Sequence, residues 1–260
     1  IFKIKFQLRR NSYRTISFIR TLRKNIFGHT KITDNRNNNV DVVFNTTELR
    51  TGTAFRFSSK NSGNWRFGLI KDNDIEIAEA VALSAAYPLF LPSSDKNFDF
   101  VKNKHTKRKR VVLSDGGIYD NIGVSCMEPG KNPTYSTVIF KPEYIIACNA
   151  GYGMLTGDFI PFGLITRFKQ IFLTTMRKVQ DATMHRLHIY KETNKIKGFV
   201  LPYLGQLDQY LPYKWPDLVK RQDVDYPTDF RPMKVKDIEL LSKRGEQLTR
   251  LLLEHYCPTL

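Results

Sequence analysis

Cysteine is scarce in these 260 residues, acidic side chains are outnumbered by basic ones, and no apolar run is long. The three cysteines, Cys126, Cys148 and Cys257, are odd in number, widely spaced and form no Cys-x-x-Cys pair. That pattern argues against a disulfide framework and a zinc site, and fits a reducing compartment. The five histidines include no His-Glu-x-x-His, and His185 and His188, three apart on an expected helix, have no acidic or cysteine partner nearby in sequence. Neither a metal nor a cofactor is expected. Charge interrupts every apolar stretch well before the roughly 20 residues a membrane-crossing helix needs, which excludes a helical integral membrane protein. No Met leads, and Ile1 to Arg10 alternates apolar with basic residues instead of forming a signal-peptide core, so the chain reads as truncated at its N-terminus.

What is present is an ordinary globular composition, 41% hydrophobic and 25% charged, for which a single folded domain is the expectation. The unusual quantity is charge: 41 Lys and Arg against 25 Asp and Glu leave +16. Such a field attracts polyanions, either nucleic acid or the anionic face of a membrane; a merely solvated basic surface has the same composition.

Along the chain, residues 1–38 form a basic helical and loop region. Its apolar positions Ile16, Phe18, Ile19, Leu22 and Phe27 suit a helix covering a core that lies upstream, or one lying on lipid. Val40 to Phe44 reads as a strand, Thr51-Gly52 as a turn, and Thr53 to Phe57 as the returning strand of a hairpin. Asp74 to Ala86 has helical spacing rich in alanine, stopped by Pro88. A loop containing the dense basic run Lys102 to Arg110 then precedes a short strand, Val111 to Leu113. That strand delivers Asp115 and two glycines, with a helix beginning near Asn121. Tyr144 to Ala147 and residues 198–204 read as further strands, 159–190 as mostly helical, and Lys236 to Tyr256 as an amphipathic helix. Strands separated by helices predict an α/β fold: a mainly parallel central sheet flanked by helices in three layers. The sheet-bearing core is expected over residues 39–204, with a C-terminal loop and helix over 205–260, all within one domain spanning 1–260.

Asp115-Gly116-Gly117 is the sharpest local signal. Two glycines permit positive φ and close approach of a second backbone, so the carboxylate can stand at a strand end beside a partner; an ordinary Asx-turn has the same sequence. Asp120 is a second carboxylate close by. Asn121 is readable as the cap of the following helix.

Three segments, in order, resemble the patatin-like phospholipase family. Phe44-Asn45-Thr46-Thr47-Glu48-Leu49-Arg50-Thr51-Gly52 is similar to its Asn-Ala-Thr-Asp-Leu-x-Thr-Gly segment. Ala78 to Pro92 is similar to its alanine-rich helix ending in Ser-Ala-x-x-Pro-x-x-Phe-x-Pro, and Leu113 to Gly123 to its Asp-Gly-Gly/Ala-x-x-x-Asn-x-Pro element, with Gly123 where the family often has proline. The tail, Pro227 to Phe230 and Arg244 to Thr249, resembles the end of bacterial members. The resemblance implies a lipid acyl hydrolase, phospholipase or esterase, working through a Ser-Asp dyad with Asp115 as base and Gly116 and Gly117 shaping its turn. No serine here satisfies Gly-x-Ser-x-Gly, since Met127 stands where Ser125 would need a second glycine. The expectation is a C-terminal part of such a domain, inert by itself, whose serine and oxyanion loop lie upstream.

In this light Lys102, Lys104, Lys107, Arg108, Lys109 and Arg110 become candidate contacts to an anionic phospholipid surface near the site, on a cytoplasmic protein peripheral to the membrane. The alternative is a noncatalytic basic protein that binds lipid or nucleic acid and retains the fold. Nucleic acid is the weaker partner, because the basic residues are not interleaved with an aromatic platform or set in a helix-turn-helix pattern.

Overall fold

A computed structural model describes residues 13–34, 39–88, 90–149, 157, 159–226 and 231–260. The alternating stretch at residues 1–10 and the tail motif at 227–230 lie outside the described residues. The chain divides into two compact units, Ile1–Phe140 and Lys141–Leu260, with the division inside the 39–204 segment expected to carry the sheet.

In the first unit, helix α1 (Tyr13–Leu22) leads to strands β1 (Val43–Glu48), β2 (Thr53–Ser58), β3 (Gly63–Asn64) and β4 (Gly68–Ile70). Helix α2 (Ile77–Ser84), strands β5 (Ser94–Lys102) and β6 (His105–Asp115), and the single turn α3 (Gly117–Asp120) follow. The six strands pair in sequence order, each antiparallel to the next, and β6 returns to β1 to close a barrel. The expected α/β fold with a mainly parallel central sheet is therefore overturned. Its physical basis was strand–helix alternation, but β3 and β4 are too short to show a period, and β5 was read as loop. The basic run also belongs to a strand. Asn103 (φ 51°) and Lys104 (φ 65°) form a two-residue turn with both residues left-handed, the geometry that joins twisted antiparallel strands. Across this hairpin Arg108 meets Asp99 at 3.4 Å and Arg110 pairs with Asp95, so two strands that look too charged to pair neutralise each other.

Phe55, Phe57, Phe100, Val111 and Leu113 fill the core, with Phe55 and Phe57 rings 5.1 Å apart. Small residues let α2 pack on two sides. Ala80 and Leu83 join the barrel core, while Ala78 and Ala82 meet Leu22. The amphipathic face of α1 thus covers α2 of this chain, which neither sequence reading of that helix had supplied.

In the second unit, β7 (Tyr144–Ile146) and β8 (Gly198–Val200) form a two-stranded parallel sheet, with α4 (Leu164–Glu192) between them in sequence. This is the one parallel pairing among the described strands. Helix α5 (Val235–Tyr256) buries Leu248, Leu251 and Leu252, whereas Ile238 near its start is exposed. The His188 and Phe199 rings pack edge to face with centroids 4.8 Å apart, a packing role. Among the described residues no three His, Cys, Asp or Glu side chains gather to hold a metal, and no helix is long and apolar enough to cross a membrane.

Candidate active site

The end of β6 is held by two separate stretches of chain. Asp115 pairs with Thr46 of β1, and the Thr47 hydroxyl donates to the Asp115 carbonyl at 2.8 Å. The Asp115 amide donates to Ala86 O at 3.0 Å, the Gly116 amide to Ser84 O at 3.1 Å, and the buried Ser114 hydroxyl to Ala86 O at 2.9 Å. The β1–β2 segment, the end of α2 and the β6–α3 turn therefore meet at one carboxylate.

Glu48 builds the β1 side of this arrangement. It is fully buried, and its carboxylate accepts the amides of Thr51 (2.8 Å) and Val112 (3.1 Å), with Arg50 at 3.3 Å. Those bonds lock the turn that ends in Gly52 (φ 62°) and tie it to β6.

The two glycines act by close approach, and neither has positive φ. A Cβ on Gly116 would fall well inside contact with Asn45 O, and one on Gly117 would lie 2.8 Å from Asp115 Oδ1 and 2.6 Å from Asn121 Oδ1. The helix begins at Gly117 rather than near Asn121, which instead ends it. We expect Gly116→Ala to lower the melting temperature, because a backbone must move. Gly117→Ala should displace the carboxylate with a smaller loss of stability. Thermal denaturation of both variants checks this, and equal melting temperatures would refute it.

The two carboxylates differ in what they already hold. Asp120 is buried, with Oδ1 accepting the Gly123 amide at 3.0 Å and Oδ2 the Ser125 amide at 2.9 Å. Asp115 accepts only the Gly117 amide, at 2.7 Å on Oδ1; its Oδ2 has no partner among the described residues. Burial pushes the Asp115 carboxyl above its ordinary range, and the Gly117 amide partly opposes this by stabilising the charged form. A half-buried, unpaired carboxylate with a raised pKa is suited to accepting a proton.

Comparison with known families decides what these segments are: the patatin-like phospholipase model matches residues 2–125, just under half the chain. Over those residues the chain is similar to the patatin-like phospholipase family. The matched stretch contains β1 to β6, Asp115 and both glycines. As members of a lipid acyl hydrolase family, patatin-like phospholipases act on lipid esters. No curated protein matches the chain.

The six candidate lipid-surface residues separate into two groups. Arg108 and Arg110 are ion-paired, and the Lys102 ammonium donates to Trp65 O at 2.7 Å. Lys104, Lys107 and Lys109 are exposed, with no hydrogen-bond or ion-pair partner among the described residues. One feature the motifs did not reveal is Arg56 on β2, a buried cation beside the site segment. Its signal in sequence was an arginine within the apolar strand Thr53 to Phe57.

Proposed function

We propose that Asp115 is the general base of a Ser-Asp dyad in a phospholipase or lipid esterase. The serine would come from a Gly-x-Ser-x-Gly element outside these 260 residues. The observation that carries this reading is the contrast between the open Oδ2 of Asp115 and the fully engaged carboxylate of Asp120. In the reaction, Asp115 takes the serine proton as the serine oxygen attacks the ester carbonyl. The leaving alcohol departs with a proton returned from Asp115, and water then repeats the cycle on the acyl-enzyme. Backbone amides of an oxyanion hole would lower the barrier further, each worth roughly 3 kcal/mol.

The test is hydrolysis of a phospholipid and a simple ester by a polypeptide that carries both a Gly-x-Ser-x-Gly serine and this chain. Its Asp115→Asn and Asp120→Asn variants should be measured alongside it. Full activity in Asp115→Asn removes the base from the scheme. The 260 residues alone are expected to be inert, and hydrolysis by them would overturn the two-part dyad.

The protein would work as a cytoplasmic enzyme peripheral to a membrane, held to anionic phospholipid by Lys104, Lys107 and Lys109. Each basic residue near such a surface contributes about 1 kcal/mol. Replacing these three with glutamine is expected to weaken sedimentation with anionic vesicles by at least about tenfold at low salt. The same substitutions should leave the weak binding to neutral vesicles unchanged. Unchanged anionic binding would show that the hairpin tip does not touch the membrane.

A further inference from the structure

Arg56 projects from β2 and is only 5% exposed, yet it has no ion-pair partner among the described residues. A guanidinium has five N–H donors. Two are engaged: Nη2 donates to Ser125 Oγ at 2.7 Å and Nη1 to Ser136 Oγ at 3.2 Å, while Nε is buried and has no acceptor. Five less two leaves three N–H groups unsatisfied on a buried cation. Burying a charge in this state is costly unless something negative completes it.

The space beside it suits such a group. Arg56, Ser125, Lys131 and Ser136 line a cavity of about 40 Å³, with Trp65, Tyr119 and Tyr135 among its other walls. At roughly 10–15 Å³ for each water-sized occupant, that volume holds about three, enough for the oxygens of a phosphate group that face the donors but not for the whole group. No carboxylate lines it. Ser136 spends its proton on Val138 O at 3.1 Å, but the Ser125 hydroxyl accepts from Arg56 and has no acceptor of its own among the described residues. Lys131 adds an ammonium, shared with Glu128 at 2.9 Å. Asp120 lies close in the chain, but both its oxygens are taken by backbone amides, and it makes no ion pair with Arg56. At one wall Trp65 carries the Arg66 guanidinium 5.5 Å and the Lys102 ammonium 5.9 Å from its ring centre, so an approaching anion meets further positive charge.

We infer that the Arg56–Ser125–Lys131 cavity is a binding site for a phosphate group, with the guanidinium and the Ser125 hydroxyl as donors to its oxygens. The site does not depend on Asp115 being a base, and it is testable without any turnover. Two sources have this chemistry: free inorganic phosphate, and the phosphodiester of a lipid headgroup.

The experiment titrates the 260-residue chain by calorimetry, at constant ionic strength, with inorganic phosphate in one arm and glycerophosphocholine in the other. Saturable one-to-one binding is expected in at least one arm. Tighter binding of phosphate identifies the free ion as ligand, and tighter binding of the diester identifies the headgroup. Arg56→Met should abolish binding. Because that variant removes a buried residue, Ser125→Ala with Lys131→Gln provides a second comparison that leaves the guanidinium in place. The pair is expected to raise Kd at least tenfold while circular dichroism remains that of the parent. The proposal is overturned if neither ligand binds, or if the double variant binds as tightly as the parent.

Discussion

Asp115→Asn is expected to reduce ester hydrolysis by at least about 100-fold, the lower end of what a positioned general base contributes, while making the folded protein more stable at neutral pH. The second half follows from burial. The folded state holds the Asp115 proton more tightly than the unfolded chain does, because burial penalises the charged form more than the Gly117 amide relieves it. For a carboxyl whose folded pKa is raised, stability falls as pH climbs from the unfolded value, about 4, through the folded value. Above that window the penalty is complete. Asparagine carries no charge, and its carbonyl oxygen still accepts from the Gly117 amide, so the penalty disappears and the hydrogen bond remains. Urea midpoints of parent and variant should coincide below about pH 4 and separate above it, with the variant higher. Asp120→Asn should instead destabilise the protein, since one of the two oxygens that accept backbone amides is replaced by a donor. Equal stability of parent and Asp115→Asn from acid to neutral pH would contradict the raised pKa and weaken the case for a tuned base.

Arg244→Met is expected to destabilise the second unit by about 3–5 kcal/mol, the range for breaking a buried, hydrogen-bonded charge. Arg244 is fully buried on α5, and its guanidinium fork donates to Leu204 O at 2.9 Å, Gln206 O at 2.6 Å and Val219 O at 2.6 Å. Asp208, partly exposed, supplies the counter-charge at 3.0 Å. One turn on, Gln247 accepts the Val219 amide at 2.9 Å and donates to Asp217 O at 2.7 Å. Together the two side chains tie the segment between Leu204 and Val219 to α5. Methionine fills much of the volume but leaves three carbonyls without donors. Lysine keeps the charge but lacks the planar fork, so Arg244→Lys should rescue only part of the loss. Chemical denaturation followed by tryptophan fluorescence is a suitable readout, because Trp215 packs in the cluster that α5 buries. A loss below about 1 kcal/mol would mean that water replaces the fork at little cost.

Much of the site was legible because it depends on short-range chemistry. Asp115-Gly116-Gly117, the Thr51-Gly52 turn and the alanine-rich helix are local devices, and their residue types are restricted by turn geometry or close approach. Their purpose was less legible. Gly116 and Gly117 were expected to allow positive φ and close approach; neither has positive φ, and both make room, for Asn45 and for the Asp115 carboxylate. The basic run misled for a physical reason: a run of like charge reads as a loop until the opposing Asp95 and Asp99 are known, and that register is a tertiary fact.

The sequence by itself determined the ordered family segments, the identity of the candidate base, the absence of a Gly-x-Ser-x-Gly serine and the excess of positive charge. Each can be read from residue type and neighbouring spacing. Only the tertiary structure decided that the sheet of the first unit is a closed antiparallel barrel, that α1 covers α2, and that Asp115 has an open oxygen where Asp120 has none. Among the described residues it also decided which lysines are unpaired and that Arg56 is buried without a counter-charge. These outcomes depend on pairings between residues tens of positions apart. Such pairings are chosen by the burial of Phe55, Phe57, Phe100, Val111 and Leu113 in one core, and no single stretch of chain carries that information.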